Sequence, residues 1–451
     1  MLSAGAQLDL TIESIAYRGQ GVARLEGLVI FVAGVAPGER VRVRIEKQRR
    51  NYAEARLLAV QESSPDRIQP CCRLSNGTRI PGCVYDHLAY PAEVALKQRQ
   101  LEDFLRRLPG GEAITFAPPV PSPLDRHYRN KIVLHAQRTP RDKVPRLGYF
   151  GEDNRTVIDI PACPLARAEI NTALAAFRKP GTLRSLHDGE TVTFRWTAAN
   201  GVVVWRGEFS EQALGPGRAG ATVAQAECGE PDQIDRPETS AENHHNPCIT
   251  EHTTFGDVRV PADGFYQVNP EVAAELVQQV AKWFVESRGA RSARPSIPNH
   301  DLLDLYCGVG VFAIACAKVG AGRVEGIESG RTAVAAANEN AREHGVQATF
   351  HCRIMTDAAR DNFGGFDMTQ ATVIVDPPRQ GLEPEVAQAL AAAKPAQIFY
   401  ISCDPATLTR DLKILLPAGY ALREARVFDM FPRTAHFETA VRMEKEEVIG
   451  H

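Results

Sequence analysis

The sequence has few of the features that would place it outside the ordinary globular proteins. It has no apolar run near the roughly 20 residues needed to cross a bilayer, so no membrane association is expected. It also lacks a strong net charge. A formal charge of −3 and a pI near 6.5 exclude a globally basic nucleic-acid binder, so any such surface must be local. The N-terminus MLSAGAQLDL has no basic segment followed by an apolar core, and no secretory signal is expected.

The composition of the chain predicts a multidomain protein of a reducing compartment. With 451 residues, 44% hydrophobic and 24% charged, the chain is long enough for several separate cores. Ten cysteines without a signal peptide favour thiol, metal or catalytic roles over disulfides. We expect a cytoplasmic monomer.

The first sixty residues predict a small β-barrel with a basic face. Five short alternating strands separated by glycine-marked turns are typical of an OB-type barrel. Three of the cations in this region share one strand face and Tyr52 follows them, which suits phosphate neutralisation beside a stacking platform. A solvated charged face is the alternative. The cations are Arg40, Arg42, Arg44, Lys47, Arg49 and Arg50.

The middle of the chain carries four cysteines that could bind a metal. Cys71 and Cys72 are adjacent, Cys83 follows in a Pro-Gly-Cys turn, and Cys163 lies far downstream. This spacing does not match the two short-spaced pairs of a zinc ribbon. Four thiolates could hold a 4Fe–4S cluster, and buried thiols without a ligand are the alternative.

A second feature of the middle segment is the run Tyr128-Arg129-Asn130-Lys131 ahead of an apolar strand. It combines an aromatic ring, two cations and an amide. These groups can stack on a base and bind its phosphate, so the run predicts an RNA contact. The end of a surface strand is the alternative.

From Pro270 onward, helices and strands alternate, which predicts a parallel sheet flanked by helices. The strand Asp301 to Leu305 runs into a glycine-rich turn at 306–312. Such a turn allows close backbone approach to a ligand and is shared by dinucleotide, phosphate and S-adenosylmethionine sites. Glu328 ends the next strand, where a carboxylate can accept from ribose hydroxyls.

Two further strand ends carry reactive side chains. Asp376 opens the sequence Asp-Pro-Pro-Arg, whose prolines lack the backbone donors of a phosphate cradle. Cys403 follows the buried strand Gln397–Ser402, and the next helix is predicted to begin at Thr407. Ligands of open α/β sheets bind at the carboxyl ends of strands, so we expect Cys403, Asp376 and Glu438 to converge. A small buried hydrophobe is the alternative for a lone cysteine.

Several motifs in one order resemble those of the RNA uracil-5 methyltransferase family. They are GFYQVN, DLYCGVGVF, VDPPRQGL, YISCDPATLTRDL and FPRTAHFETA, and residues 5–62 resemble the RNA-binding TRAM barrel. The resemblance runs over nearly the whole chain. It implies a multidomain α/β fold with an OB-like TRAM barrel over 1–62, an α+β domain over 63–264 and a Rossmann-like methyltransferase domain over 265–451. It also implies S-adenosylmethionine as cofactor and structured RNA, either tRNA or 23S rRNA, as partner.

The same resemblance implies roles for individual residues. Carbon 5 of uracil is a poor nucleophile, and addition of the Cys403 thiolate at carbon 6 makes it reactive. Glu438 then removes the proton from carbon 5. The target base must leave its stack to reach Cys403. Val311 stands where many members carry an asparagine, so one hydrogen bond to the cofactor is missing. The implied cofactor residues are Gln267, Tyr306, Val311, Glu328, Asp357 and Asp376.

The chain departs from the family pattern at the cysteines. Iron–sulfur members usually have three cysteines separated by five and two residues, followed by a distant fourth. Here Ile80 occupies the middle position, and Cys71 and Cys72 stand in tandem. We expect a 4Fe–4S cluster held by Cys71, Cys72, Cys83 and Cys163, and loss of the cluster is the alternative.

Two other functions remain open from the sequence. DNA cytosine-5 methyltransferases use the same thiol addition, but the RNA-type barrel and the Cys-Asp-Pro order disfavour them. A non-catalytic RNA-binding protein would have lost the nucleophile or the base, and both Cys403 and Glu438 are present.

Overall fold

The computed structural model describes residues 3–139, 144–207, 248–291 and 300–446. Within these ranges no helix has the length and apolar content required to traverse a bilayer.

The N-terminal strands form one six-stranded sheet in the order β1-β5-β6-β4-β3-β2, wrapped around an apolar core. The five predicted strands are present, and a short β2 is added to them. Alternation places Val41, Val43 and Ile45 inside while Arg40 and Arg42 face outward. The strands are β1 Gln7–Thr11, β2 Ser14–Ile15, β3 Gln20–Leu25, β4 Leu28–Ala33, β5 Arg40–Gln48 and β6 Tyr52–Glu62.

The cations on the basic face of this barrel are less available to bind phosphate than predicted. Arg42 faces Asp9 across β1 and β5 and donates to both of its carboxylate oxygens, at 2.8 and 2.9 Å. Arg40 faces Glu62 in the same way, at 3.5 Å. The Tyr52 ring packs edge-on against a neighbouring ring of the barrel, 5.7 Å between centroids. Cross-strand acids therefore neutralise two of the three cations expected to bind phosphate.

The middle segment forms a five-stranded antiparallel sheet, in the order β10-β9-β8-β11-β12, and a separate hairpin of β13 and β14. The elements are α1 Tyr90–Leu105, β7 Thr115–Phe116, β8 Lys131–Gln137, β9 Arg146–Phe150, β10 Val157–Asp159, α2 Ala168–Phe177, α3 Pro180–Arg184, β11 Thr191–Thr197, β12 Gly201–Arg206, β13 Cys248–Thr253 and β14 Gly256–Pro261.

The C-terminal segment confirms the predicted methyltransferase-type α/β sheet, in the order β17-β16-β15-β18-β19-β21-β20-β7. The first five strands are parallel, and β21 lies antiparallel between β19 and β20. The elements are α4 Pro270–Arg291, β15 Leu302–Leu305, α5 Val311–Lys318, β16 Val324–Glu328, α6 Arg331–Glu343, β17 Thr349–Cys352, α7 Met355–Arg360, α8 Asn362–Gly365, β18 Thr372–Val375, α9 Pro384–Ala393, β19 Gln397–Ser402, α10 Pro405–Leu415, β20 Tyr420–Phe428 and β21 Glu438–Lys445.

Part of the middle segment packs onto this sheet. Leu101 and Leu105 of α1 lie in the same hydrophobic cluster as Val375 and Tyr400. β7 pairs in parallel with β20 and forms the last strand of the sheet. The C-terminal sheet is therefore completed by β7, a strand that comes much earlier in the chain than the other strands of the sheet.

The helix after β19 begins earlier than predicted. It starts at Pro405 rather than Thr407, because Asp404 caps it by accepting from the backbone N–H of Ala406 at 2.8 Å. Proline is well suited to the first helical position, where its missing N–H is not needed. Cys403 is therefore separated from the helix by a single residue.

Candidate active site

The strand register brings the predicted residues to one edge of the sheet. Leu305 is level with Ile327 and Val375, and Val375 is level with Tyr400. Each of these residues lies within two positions of the carboxyl end of its strand. The side chains that follow, those of Tyr306, Glu328, Asp376 and Cys403, therefore surround one crevice.

Cys403 and Glu438 approach this edge from opposite directions. β19 and β21 are antiparallel, and Ser402 is paired with Thr439. The next position outward places Cys403, half-buried, across from Glu438, which is only 4% exposed. The antiparallel β21 thus supplies an acid beside the thiol.

Glu438 is buried without full pairing, and the neighbouring Asp376 is half-buried. Glu438 Oε2 has no hydrogen-bond partner among the described residues. Burial, reinforced by the neighbouring Asp376, raises the pKa of Glu438 well above its usual range. Burial raises the pKa of Asp376 to about 7. Unpaired buried acids with shifted pKa values are typical of catalytic sites.

The Cys403 thiol is protonated at neutral pH in the free protein. Burial raises its pKa to about 12, and the carboxylates of Glu438 and Asp376 add to the shift. The guanidinium of Arg379 lowers this pKa in part. The thiolate therefore has to be generated when the crevice is occupied.

The glycine-rich turn has the backbone geometry of a ligand cradle. Three residues adopt positive φ: Tyr306 at 62°, Gly308 at 53° and Gly310 at 84°. A Cβ on Gly310 would lie 2.7 Å from the Phe350 ring, so this position requires glycine. Glu328 closes the turn by accepting from the N–H of Gly308 at 3.3 Å. These features fit a nucleoside-bearing cofactor at the start of α5.

The other predicted cofactor residues differ from one another in burial and in hydrogen-bond partners. The Tyr306 hydroxyl donates to the carboxylate of Glu383. Val311 is the first residue of α5 and is half-buried. The Gln267 carbonyl accepts from the side-chain amide of Asn130 at 3.2 Å. Asp357 is exposed on α7, where Arg360 donates to it at 2.7 Å.

Asp304 is a site residue that the sequence reading missed. It is fully buried in β15, and its Oδ2 accepts from the N–H of Ala313 at 3.2 Å. Its Oδ1 has no partner among the described residues, and burial together with Asp376 raises its pKa well above the usual range. The signal was available: a carboxylate inside an otherwise apolar strand.

Within the predicted RNA contact at residues 128–131, the prediction is wrong for Tyr128 and Asn130, whose side chains are buried, while Arg129 and Lys131 are half-buried. The Tyr128 hydroxyl donates to the carbonyl of Pro432 at 3.0 Å, in the loop before Glu438. The backbone N–H of Asn130 donates to the carbonyl of Val268 at 2.9 Å. These residues hold two segments of the active site in place.

The four middle-segment cysteines gather in one hydrophobic cluster, but not as a ready ligand set. Cys72, Cys83 and Cys163 are buried, and the Cys71 and Cys72 sulfurs are 3.9 Å apart. The Cys163 sulfur instead accepts from the Tyr149 hydroxyl at 3.4 Å. Across residues 3–139, 144–207, 248–291 and 300–446, no three His, Cys, Asp or Glu side chains are arranged to hold a metal ion.

Two protein-family models match this chain. Residues 256–446 match the family model described as tRNA (Uracil-5-)-methyltransferase. Residues 3–58 match the model of the TRAM domain. The two matches lie at the two ends of the chain and leave the cysteine-containing middle between them.

Similar proteins span almost the entire chain. The 23S rRNA (uracil(1939)-C(5))-methyltransferase RlmD of Pseudomonas putida is 31% identical, covering 98% of this chain and 94% of that protein. An uncharacterized RNA methyltransferase of Nitratidesulfovibrio vulgaris is 30% identical over 98% and 97% of the two chains. The tRNA (uracil-54, C5)-methyltransferase of Pyrococcus abyssi, solved with S-adenosyl-L-homocysteine, shares the fold with a TM-score of 0.66 at 24% identity, covering 97% and 100%. The chain therefore belongs to the TRAM-containing, S-adenosylmethionine-dependent RNA uracil-5 methyltransferases.

Proposed function

We propose that this enzyme methylates carbon 5 of a uridine in structured RNA through a covalent adduct between Cys403 and carbon 6. The observation that carries the proposal is the pairing of β19 with β21, which sets Cys403 across from Glu438. A nucleophile and a base on facing strands can act on adjacent carbons of one flat ring.

In the first step the Cys403 thiolate adds to carbon 6 of the uracil. The electron pair of the 5,6 double bond moves toward carbon 5 and the carbonyl at carbon 4, giving an enolate. The thiol first releases its proton to solvent, and its pKa of about 12 makes this ionisation part of the barrier. The nearby Arg379 favours the thiolate.

The second half of the reaction needs a base. S-adenosylmethionine, when bound at the glycine-rich turn, supplies the methyl group that carbon 5 receives. Carbon 5 then carries both a methyl group and a proton. The Glu438 carboxylate takes the proton, the double bond re-forms, and the bond from carbon 6 to the Cys403 sulfur breaks. The products are 5-methyluridine, S-adenosylhomocysteine, the Cys403 thiolate and a protonated Glu438.

We assign the cofactor contacts to residues at the carboxyl edge of the sheet. Glu328 suits the ribose hydroxyls, because it already closes the turn at the end of β16. Asp376 suits the boundary between cofactor and base, because it lies between β15 and β19 in the sheet. Gln267, Tyr306, Val311 and Asp357 complete the proposed set.

The substrate class can be settled by one experiment. Labelled S-adenosylmethionine is incubated with the enzyme and separated tRNA and 23S rRNA from cells that lack 5-methyluridine, and the modified nucleotide is mapped. We expect label in 5-methyluridine at one position. 23S rRNA is tested first because a relative with that printed activity spans nearly the whole chain. Label in a nucleotide other than 5-methyluridine, or no label in either RNA, would overturn the proposal.

We also propose that Cys71, Cys72, Cys83 and Cys163 bind a 4Fe–4S cluster. Their shared location in one cluster of the middle segment supports it, while the sulfur positions require rearrangement. Anaerobic purification, absorbance near the brown iron–sulfur band and iron counting test it. We expect about four irons per chain, and Cys83→Ser lowers that count. Colourless, iron-free protein contradicts the cluster.

A further inference from the structure

A turn of the N-terminal barrel reaches the catalytic loop. Arg18, between β2 and β3, places its Nη2 3.8 Å from Oδ2 of Asp404, the residue after Cys403. The ring of Tyr17 packs edge-on against Phe437, the residue before Glu438, with 6.2 Å between centroids. This turn, residues 17–20, therefore touches the immediate neighbours of both proposed catalytic residues.

The turn is held firmly in this place. The side-chain amide of Gln100, on α1, donates to the carbonyls of Ile15 and Ala16 at 3.2 and 3.1 Å. Gly19 lies so close to Val84 that a Cβ would be 3.0 Å from its side chain. Contacts from the middle and C-terminal segments thus fix a barrel turn beside the active site.

Arg18 combines a strained backbone with an exposed cation, and its guanidinium lies 5.9 Å from the centroid of the Tyr17 ring. Its φ is 74°, in the left-handed region that favours glycine, and its side chain is 73% exposed. An exposed ion pair at 3.8 Å contributes little to folding. The partner, Asp404, already caps α10 without help from Arg18. A strained, exposed cation at the mouth of a site indicates a functional role.

We propose that Arg18 binds a backbone phosphate of the RNA next to the target uridine. The inference rests on the proposed function and deepens it. A uridine that reaches Cys403 carries its flanking phosphates to the rim of the crevice. The guanidinium is the side chain best matched to a phosphate, which offers two oxygens in its plane. Arg18 then forms the barrel side of the catalytic mouth, and the exposed Arg379 lies on the sheet side.

Arg18→Gly tests the proposal, because glycine relieves the backbone strain while removing the cation. We expect a melting temperature equal to or above that of the wild type, together with RNA binding weakened by about five- to tenfold at ~0.1 M salt. The slope of log affinity against log salt falls by about one. Arg18→Lys keeps most of the salt dependence. S-adenosylmethionine binding and alkylation of Cys403 by iodoacetamide in the absence of RNA stay unchanged.

Arg24→Ala is the matched control. Arg24 lies in the same barrel, is 57% exposed and is ion-paired, but its partner is Glu13 of the barrel itself. We expect this variant to bind RNA as the wild type does. Equal RNA binding by Arg18→Gly and wild type, or slower Cys403 alkylation in Arg18→Gly, overturns the phosphate contact. RNA binding is measured by filter retention without methyl transfer, so a wild type that binds but never methylates would defeat the proposed function alone.

Discussion

Two groups of charged side chains near the loop between β20 and β21 differ in how their charges are paired. The Lys97 cluster consists of Glu93, Lys97, Asp429 and Arg433. Lys97 is fully buried and donates to Glu93 and Asp429 at 2.7 Å each, and to a loop carbonyl at 3.2 Å. The acid edge consists of Asp304, Asp376 and Glu438, and no cation of the described chain donates a hydrogen bond to any of the three.

The pKa values reflect burial as well as pairing, because burial raises the pKa of Glu93 to about 7 even within the Lys97 cluster. Burial alone lowers the pKa of Lys97, but the carboxylates of Asp429 and Glu93 outweigh it and the net pKa is raised. At the acid edge, burial acts without a comparable counter-charge, and the pKa values of Asp304 and Glu438 rise. Paired charges fix a conformation, whereas unpaired charges keep a proton available for transfer.

The Lys97 cluster shapes the loop that delivers the base. Arg433 has a φ of 69°, and its backbone N–H donates to Glu93 at 2.7 Å while its Nη1 donates to the Leu88 carbonyl at 2.6 Å. Because several contacts hold this strained residue, the loop has one shape. A rigid loop allows Glu438 to sit buried and unpaired at its end.

The largest expected effect concerns the nucleophile. Cys403→Ala removes the only group proposed to bond to carbon 6, so methyl transfer falls on the order of 10³-fold or more. RNA binding persists, because the thiol contributes little contact area. Labelled methyl incorporation and filter binding measure the two properties. Turnover close to that of the wild type would contradict the role of Cys403.

The base is expected to matter nearly as much, with a different signature. Glu438→Gln cannot accept the carbon 5 proton, so turnover falls by about 10²–10⁴-fold. The adduct with RNA accumulates because the thiol is not eliminated. A protein–RNA band that survives denaturing electrophoresis is the measurement. If the variant turns over slowly without such a band, another group removes the proton.

Breaking the paired cluster is expected to unfold the protein rather than to change its chemistry. Lys97→Met removes the cation that pairs with Asp429 and leaves Glu93 with Arg433 alone, at a cost of about 3–5 kcal/mol in the free energy of unfolding. Chemical denaturation measures it. Lys282→Met is the matched control on α4: Lys282 is 67% exposed and pairs with Glu286 at 3.7 Å. That change is worth under about 0.5 kcal/mol.

The acid edge predicts a pH dependence. Glu438 acts only when ionised, and its pKa is raised, so kcat falls as the pH drops below that raised pKa. Asp376→Asn removes a neighbouring negative charge and lowers the pKa of Glu438, which moves the acid limb to lower pH by on the order of one unit. The measurement is kcat against pH at saturating RNA. Asp367→Asn is an exposed control and leaves the acid limb in place. An equal shift in that variant would refute the electrostatic effect of Asp376 on Glu438.

The smallest expected effect is a gain in the free energy of unfolding, opposite in sign to the loss expected for Lys97→Met. A carboxyl with a raised pKa in the folded state costs stability as the pH rises above its unfolded value of about 4.5, and the full cost is reached at the folded pKa. Glu438→Gln removes this cost, so the free energy of unfolding at pH 8 rises by on the order of 1 kcal/mol. The gain vanishes below pH ~4. A loss of stability at pH 8 would show that the carboxylate is structurally paired.

The site residues that could be predicted from the sequence are those whose positions follow from a local sequence pattern. The apolar run before Cys403 and the glycines after Leu305 mark strand ends, and strand ends define the crevice. The Lys97 cluster could not be foreseen, because Lys97 and Asp429 are 332 residues apart in the chain. The same holds for Tyr128, whose aromatic and polar surroundings in sequence suggested RNA while its partner lies in a distant loop. The boundaries after residues 62 and 264 stay predictions.

The prediction of a basic face on the barrel was correct only in part, for a different reason. Local alternation correctly placed Arg40 and Arg42 on one outer face. It could not show that Asp9 and Glu62 on the adjacent strands occupy the matching positions. Charge counted along one strand overstates the charge available to a partner when neighbouring strands carry the opposite sign.

The short strand β7 constrains the order in which the protein can fold. Thr115 pairs with Glu424, so an edge of the catalytic sheet is synthesised early and its partner late. Leu101 and Leu105 of α1 likewise wait for the core that covers them. Contacts so distant in sequence slow folding, and the early segment stays exposed while the rest of the chain is made. The apolar side chains of α1 therefore stay uncovered until β20 is synthesised.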